Sequence, residues 1–191
     1  MRRCLWSFII PCFFFGSCGN GKQTPEDKTP PADTSKYYSL DGFYQNQIEY
    51  VDVRNFTISR VSVTDGKKDS AGMSKSEWVA MASRLFPSQA LKSNEKVKYK
   101  ENVFEDESTN SYTLNYTAQD PSLEIRSIDI LLDKQIKTVK RVFVKSFYKT
   151  GGDTTIEQVF SLKANKSMQL NKTFTTKGKT STELNYIKWD E

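Results

Sequence analysis

The sequence predicts an α+β domain, with two N-terminal helices packed on a curved, mostly antiparallel meander sheet of about six or seven strands. Apolar residues recur at helical spacing over residues 40–52 and again over 78–85. From residue 98 onward they recur at every second position, the period of a half-buried strand. Turn signals break that second pattern every ~10–16 residues, which implies strands joined by local hairpins.

The first helix follows from Leu40, Tyr44, Ile48 and Val51, which fall at i, i+4, i+8 and i+11 and line one face. Phe43, Gln47 and Tyr50 lie beside this stripe and broaden it. Residues 56–63 are rich in β-branched side chains and read as a strand. Asp65-Gly66 is a tight-turn signal, so residues 67–73 read as its return strand. Ser74-Lys75-Ser76-Glu77 is a capping box just before Trp78, Met81, Ala82 and Leu85. Phe86-Pro87 ends that helix, because the residue before a proline resists helical geometry.

The strands then follow one another. Residues 98–105 lead to a Ser108-Thr109-Asn110 turn, and Tyr112, Leu114 and Tyr116 alternate with polar neighbours. Ile128, Ile130 and Leu132 alternate next, before a turn at Asp133-Lys134-Gln135. Val142 and Val144 oppose Arg141, Phe143 and Lys145, and Thr150-Gly151-Gly152-Asp153 is a hairpin loop. Residues 156–162, the alternating Met168, Leu170 and Phe174, and residues 184–189 complete the series. Each strand has one apolar face and one face of Lys, Thr, Asn and Gln, so the sheet has a dry side and a wet side.

Composition limits the chemistry. The chain has no histidine, which excludes an imidazole base or ligand. Its three cysteines, Cys4, Cys12 and Cys18, precede the domain. Thiol catalysis, cysteine–zinc sites and disulfides are thereby excluded from the domain itself. Nothing in the pattern asks for a cofactor. Lys plus Arg is 28 against 23 acidic residues, a net charge of +5, of which Arg2 and Arg3 belong to the leader.

That leader is Met1-Arg2-Arg3 followed by an apolar run from Cys4 to Phe15, the layout of a secretory signal peptide. It is too short to span a bilayer, which takes ~20 apolar residues. It ends Phe15-Gly16-Ser17-Cys18: large apolar, small, small, cysteine. This ending resembles the signal of bacterial lipoproteins, with Phe15 where leucine, valine or isoleucine is usual. The chain thereby resembles the small lipoproteins of Bacteroidota, a resemblance carried by these first 18 residues alone. The resemblance implies removal of residues 1–17, a diacylglycerol thioether on Cys18 and an acylated amino group. It also implies attachment to the cell envelope, at the outer membrane, with membrane contact through Cys18. No acid follows Cys18 until Glu26-Asp27, which departs from the surface-export signal of that group and points to the periplasmic face. Residues 18–36 hold Pro25, Pro30 and Pro31 and no large apolar side chain. They read as a flexible tether to a single domain over residues 37–191. Asp69-Ser70-Ala71 resembles the O-glycosylation sequon of exported Bacteroidota proteins, which makes Ser70 a candidate modification site.

Three further patterns bear on function. Ser93-Asn94-Glu95-Lys96, Ser108-Thr109-Asn110 and Lys149-Thr150-Gly151 mimic, in order, the signatures of penicillin-recognising serine enzymes. The 11 residues between Lys96 and Ser108 cannot hold the helical region that family places there, so the match reads as chance. Glu101, Glu105, Asp106 and Glu107 cluster at a strand end and turn. They could serve glycoside cleavage, or calcium together with Asn110, and are ordinary for a solvated hairpin tip. The lysines from Lys134 to Lys179 suit the wet face of a sheet. Their functional reading is attraction to anionic lipid headgroups, glycans or an acidic partner, with nucleic acid excluded by export.

The leading expectation is a non-enzymatic envelope lipoprotein that binds or scaffolds, with an envelope protein or an apolar ligand as partner. The first alternative is a periplasmic carrier with a half-barrel-like apolar pocket lined by Trp78, Tyr112, Leu114, Tyr116, Val142 and Val144. The second is a carboxylate enzyme acting on glycans.

Overall fold

The structure, a computed structural model, describes residues 40–86 and 96–190. The leader, Cys18, the tether and Ser93 lie outside the described residues. The described residues all belong to one compact unit. In chain order the elements are α1 (Leu40–Asp52), β1 (Thr57–Thr64), β2 (Lys67–Met73) and α2 (Lys75–Leu85). A short 3₁₀ turn (Lys96–Lys98) leads into β3 (Tyr99–Asp106), β4 (Ser111–Ala118), β5 (Ile125–Asp133) and β6 (Val139–Thr150). β7 (Thr154–Lys163), β8 (Ser167–Thr176) and β9 (Lys179–Asp190) complete the chain.

The class is α+β, and the nine strands of the described residues form one open antiparallel sheet in the order β2-β1-β9-β8-β7-β6-β5-β4-β3. The strand count corrects the six or seven expected. β3 to β9 form a seven-strand meander. The β1–β2 hairpin adds two more by pairing β1 along β9, from Thr57 opposite Asp190 to Thr64 opposite Glu183. That pairing joins the two ends of the domain in sequence, and no local turn signal announces it.

Local chemistry accounts for the elements. The α1 stripe buries Leu40, Tyr44, Gln47, Ile48 and Val51. At α2 the Ser74 side chain accepts from Glu77 N at 3.3 Å, and the Glu77 carboxylate accepts from Ser74 N at 2.8 Å, the reciprocal capping box expected. The hairpins at Asp65-Gly66 and Lys177-Gly178 both put two successive residues at positive φ. Such turns match the twist of the flanking strands.

The register lines up the core. Leu114, Ile130, Val142, Leu162, Met168 and Ile187 face one another in one row across β4 to β9, each at most 1 % exposed. Tyr116, Ile128, Val144, Phe160 and Leu170 make a parallel row on β4 to β8. Ring contacts from Tyr44 of α1 and from Phe86, just past α2, reach Phe160 of these rows, and one from Trp78 of α2 reaches Trp189 of β9. Tyr44 sits edge-on to Phe160 at 6.2 Å, Phe86 lies 4.9 Å from Tyr44 and 5.8 Å from Phe160, and Trp78 lies 4.7 Å from Trp189. Burying each such side chain contributes about 1.5–3 kcal/mol. Gln47 is buried too, and is satisfied by the β7–β8 turn. Its Nε2 donates to Asn165 Oδ1 at 3.0 Å, and Asn165 N donates to its Oε1 at 2.7 Å.

Candidate functional site

Alternation along each strand puts one set of side chains in the core and the next on the opposite face. Ser161 stands between buried Phe160 and Leu162, Gln169 between Met168 and Leu170, and Phe143 between Val142 and Val144. The register sets Phe143, Ser161, Gln169 and Tyr186 side by side across β6 to β9. Flanking this row on the same face, Arg141 opposes Lys163, which opposes Ser167, which opposes Lys188. On the other flank Val159 opposes Asn171.

These positions floor a groove of about 700 Å³. One end is walled by Tyr50 at the end of α1, Phe56, and Asn165 and Lys166 of the β7–β8 turn. The Gln47–Asn165 pair therefore fixes the helix whose next turn supplies Tyr50. The Tyr50 and Phe56 rings touch at 5.4 Å, and the Arg54 guanidinium lies 3.9 Å over Tyr50. The Arg141 guanidinium lies 5.4 Å from the Phe143 ring.

The groove is cationic. Arg141, Lys163, Lys166 and Lys188 line it against one carboxylate, Asp190. Asp190 is taken by Lys188, Nζ to Oδ2 at 3.0 Å, and its hydrogen bond and charge hold that ammonium above the ordinary lysine range. Among the described residues, Arg141, Lys163 and Lys166 have no carboxylate partner. Ser161, Gln169 and Asn171 add hydroxyl and amide groups to the floor. Such a surface can hold an anion by charge and a hydroxyl-rich ligand by hydrogen bonds.

The six residues expected to line an apolar pocket all lie in the core cluster: Trp78 and Tyr116 at 0 %, Leu114 at 1 %, Tyr112 at 8 %, Val142 at 0 % and Val144 at 1 % exposure. Tyr112, Leu114, Tyr116, Val142 and Val144 share the sheet face opposite the groove, and Trp78 stands on α2. The indole N–H groups of Trp78 and Trp189 and the Tyr44 hydroxyl have no hydrogen-bond partner among the described residues. Burial, then the charge of Asp41, pushes the Tyr44 hydroxyl well above its usual range. Ser70 is exposed on the edge strand β2, opposite Val61.

The acidic cluster is spent on local structure. Asp106 accepts from Ser108 Oγ at 2.6 Å, Thr109 Oγ1 at 2.7 Å and Ser108 N at 2.9 Å, bonds that hold its carboxyl below the usual carboxylate range. Glu105 pairs with Lys134. Among the described residues no three metal-ligating side chains come together. The second and third serine-enzyme patterns stay apart. Lys140 Nζ donates to Thr109 O at 3.0 Å, while Lys149 lies nine residues further along β6, about 30 Å at strand rise. Among the described residues no helix is long and apolar enough to cross a membrane.

No family model, curated protein or solved structure matches the chain.

Sequence reasoning named Arg141, Lys163 and Lys166 as wet-face cations but did not bring them together. The signal was there in part, since Arg141 and Lys163 adjoin core residues on their strands, while Lys166 stands in the β7–β8 turn. Tyr50, Phe56 and Lys188 carried no signal, because only the α1 end, the β1–β9 pairing and the β8–β9 register bring them to the groove.

Proposed function

We propose that the protein is a non-enzymatic binding lipoprotein of the bacterial envelope, tethered to the outer membrane through an acylated Cys18 and facing the periplasm. The helices cover the dry face of the sheet, and the wet face carries the binding site. The ligand is anionic and occupies the groove across β6 to β9. The observation that carries this reading is three cations, Arg141, Lys163 and Lys166, without a carboxylate partner among the described residues, in one concave site of about 700 Å³. A concave, one-sign site focuses its field and gathers counter-charged ligand. The leader and tether expected from the sequence supply the location.

The test is binding of dextran sulfate and of neutral dextran to the full chain in neutral detergent, by calorimetry. The wild type is expected to bind dextran sulfate alone, with affinity falling as salt rises. Lys163→Glu with Lys166→Glu, both exposed, should weaken binding by about tenfold or more, with each reversal removing one attraction and adding one repulsion. A charge-reversed protein that keeps its far-ultraviolet circular dichroism and binds dextran sulfate like the wild type sinks the reading.

A further inference from the structure

A second groove, of about 310 Å³, lies on the same sheet face, bordered by Arg126, Lys145, Phe147 and Glu157. Val159 lines both grooves. Lys145 opposes Val159, as Phe143 opposes Ser161 and Arg141 opposes Lys163. The two sites are therefore consecutive along β6 and β7. From Lys163 to Glu157 the track runs six residues of β7, about 20 Å at strand rise. Cations recur along it: Lys163 and Arg141, then Lys145, then Arg126. A β-bulge supplies the last of these. Ile125 opposes Ser146 and Ser127 opposes Lys145, which leaves Arg126 as the extra residue of β5. Bulges re-aim side chains in this way, and the Arg126 guanidinium lies 5.1 Å from the Phe147 ring.

We propose that the two grooves form one track for a linear acidic polysaccharide, a sugar polymer with a carboxylate on its repeating unit. This rests on the anion-binding reading and names its ligand. Periodic cations suit a periodic anion. Hydroxyl and amide groups between them, from Ser161, Gln169 and Asn171, suit sugar hydroxyls. An acidic peptide is disfavoured because β6 to β9 are interior strands paired on both sides, with no free edge for a peptide strand to join. A single-stranded nucleic acid draws its affinity from successive bases stacked on open rings. Here Phe143, Tyr50 and Phe147 each already lie against a guanidinium.

The test uses the full chain in neutral detergent and oligogalacturonates of two, four and six rings. Calorimetry should give an affinity rising by about tenfold or more from the dimer to the hexamer, as further contacts become intramolecular. Lys145→Glu, in the second groove, should abolish that gain, so that the hexamer binds no more tightly than the dimer. Lys163→Glu should weaken every length. Methyl esterification of the hexamer should remove binding. Equal affinity at all lengths, with Lys145→Glu silent, overturns the track while the anion groove stands. Binding of an oligothymidylate or a polyglutamate with no galacturonate bound at any length overturns the polysaccharide. Failure of every polyanion, dextran sulfate included, overturns both readings.

Discussion

At the scale of single residues, the Gln47–Asn165 contact is the most exacting one. Gln47 is 5 % exposed and 118 positions from its partner, yet its amide is matched at both ends. Asn165 sits at φ 57°, in the left-handed region that asparagine tolerates. The pair thus fixes where α1 meets the β7–β8 turn, and with it the Tyr50 wall of the groove. Gln47→Met keeps the length and loses both bonds, leaving Asn165 N–H unpaired beside an apolar chain. The expected loss in urea unfolding is about 1–3 kcal/mol. Asn165→Gly preserves the backbone conformation and loses one bond, so it should cost less. A double-mutant cycle should give a coupling of at least about 0.5 kcal/mol. Additive single effects would mean that the two residues are neighbours without being an anchor.

Whole elements depend on carboxylates that cap backbone turns. Ser74 N–H and its hydroxyl hold Glu77 below the usual carboxylate range. The Ser108 and Thr109 hydroxyls do the same for Asp106, Ser122 for Asp120, and the backbone N–H groups of Ile136 and Gln135 for Asp133. A carboxyl lowered in the folded state contributes stability that is complete above its unfolded value, about 4. That stability is lost as pH falls through the lower folded value. The chain has no histidine to titrate nearer neutrality. The urea midpoint should therefore be level from about pH 5.5 to 8 and fall below about pH 4. Asp133→Asn should flatten part of the acid limb and leave the neutral plateau level. A midpoint that drifts steadily between pH 5.5 and 8 would place the main pH-sensitive groups elsewhere. The Ser74–Glu77 cap and the turns at Ser108-Thr109-Asn110 and Asp133-Lys134-Gln135 were legible because each is written within a few residues. The helix over residues 40–52, the return strand over 67–73 and the Ser74–Glu77 box stand where spacing alone puts them.

At the scale of the molecule, pairing between distant segments decides both the sheet and the groove, and this is where sequence patterning stops. Alternation says which residues of a strand share a face, but not which strand lies beside it. Lys163 and Lys188 fall on one row only through the β7–β8 and β8–β9 registers. Aromatic richness on β4 drew the expected ligand to the dry side, where Tyr112 and Tyr116 are packed in the core. The β1–β9 pairing is the least local of all, since it brings residues 57–64 against residues 183–190. Val63 and Leu184 are partners in it, half-buried on the wet face and outside both grooves. Because residues 19–191 contain no cysteine, Val63→Cys with Leu184→Cys makes a clean probe. The pair should oxidise to a disulfide that closes a loop of about 120 residues and stabilises the fold by roughly 2–4 kcal/mol. Val63→Cys with Asn185→Cys moves one thiol to the other face of the sheet and should not close. Peptide mapping of the oxidised proteins distinguishes the two. Closure of the Asn185 variant in preference would mean that β1 meets β9 one residue out of register, which would turn the wet face of the hairpin inward and dismantle the Phe56 end of the groove.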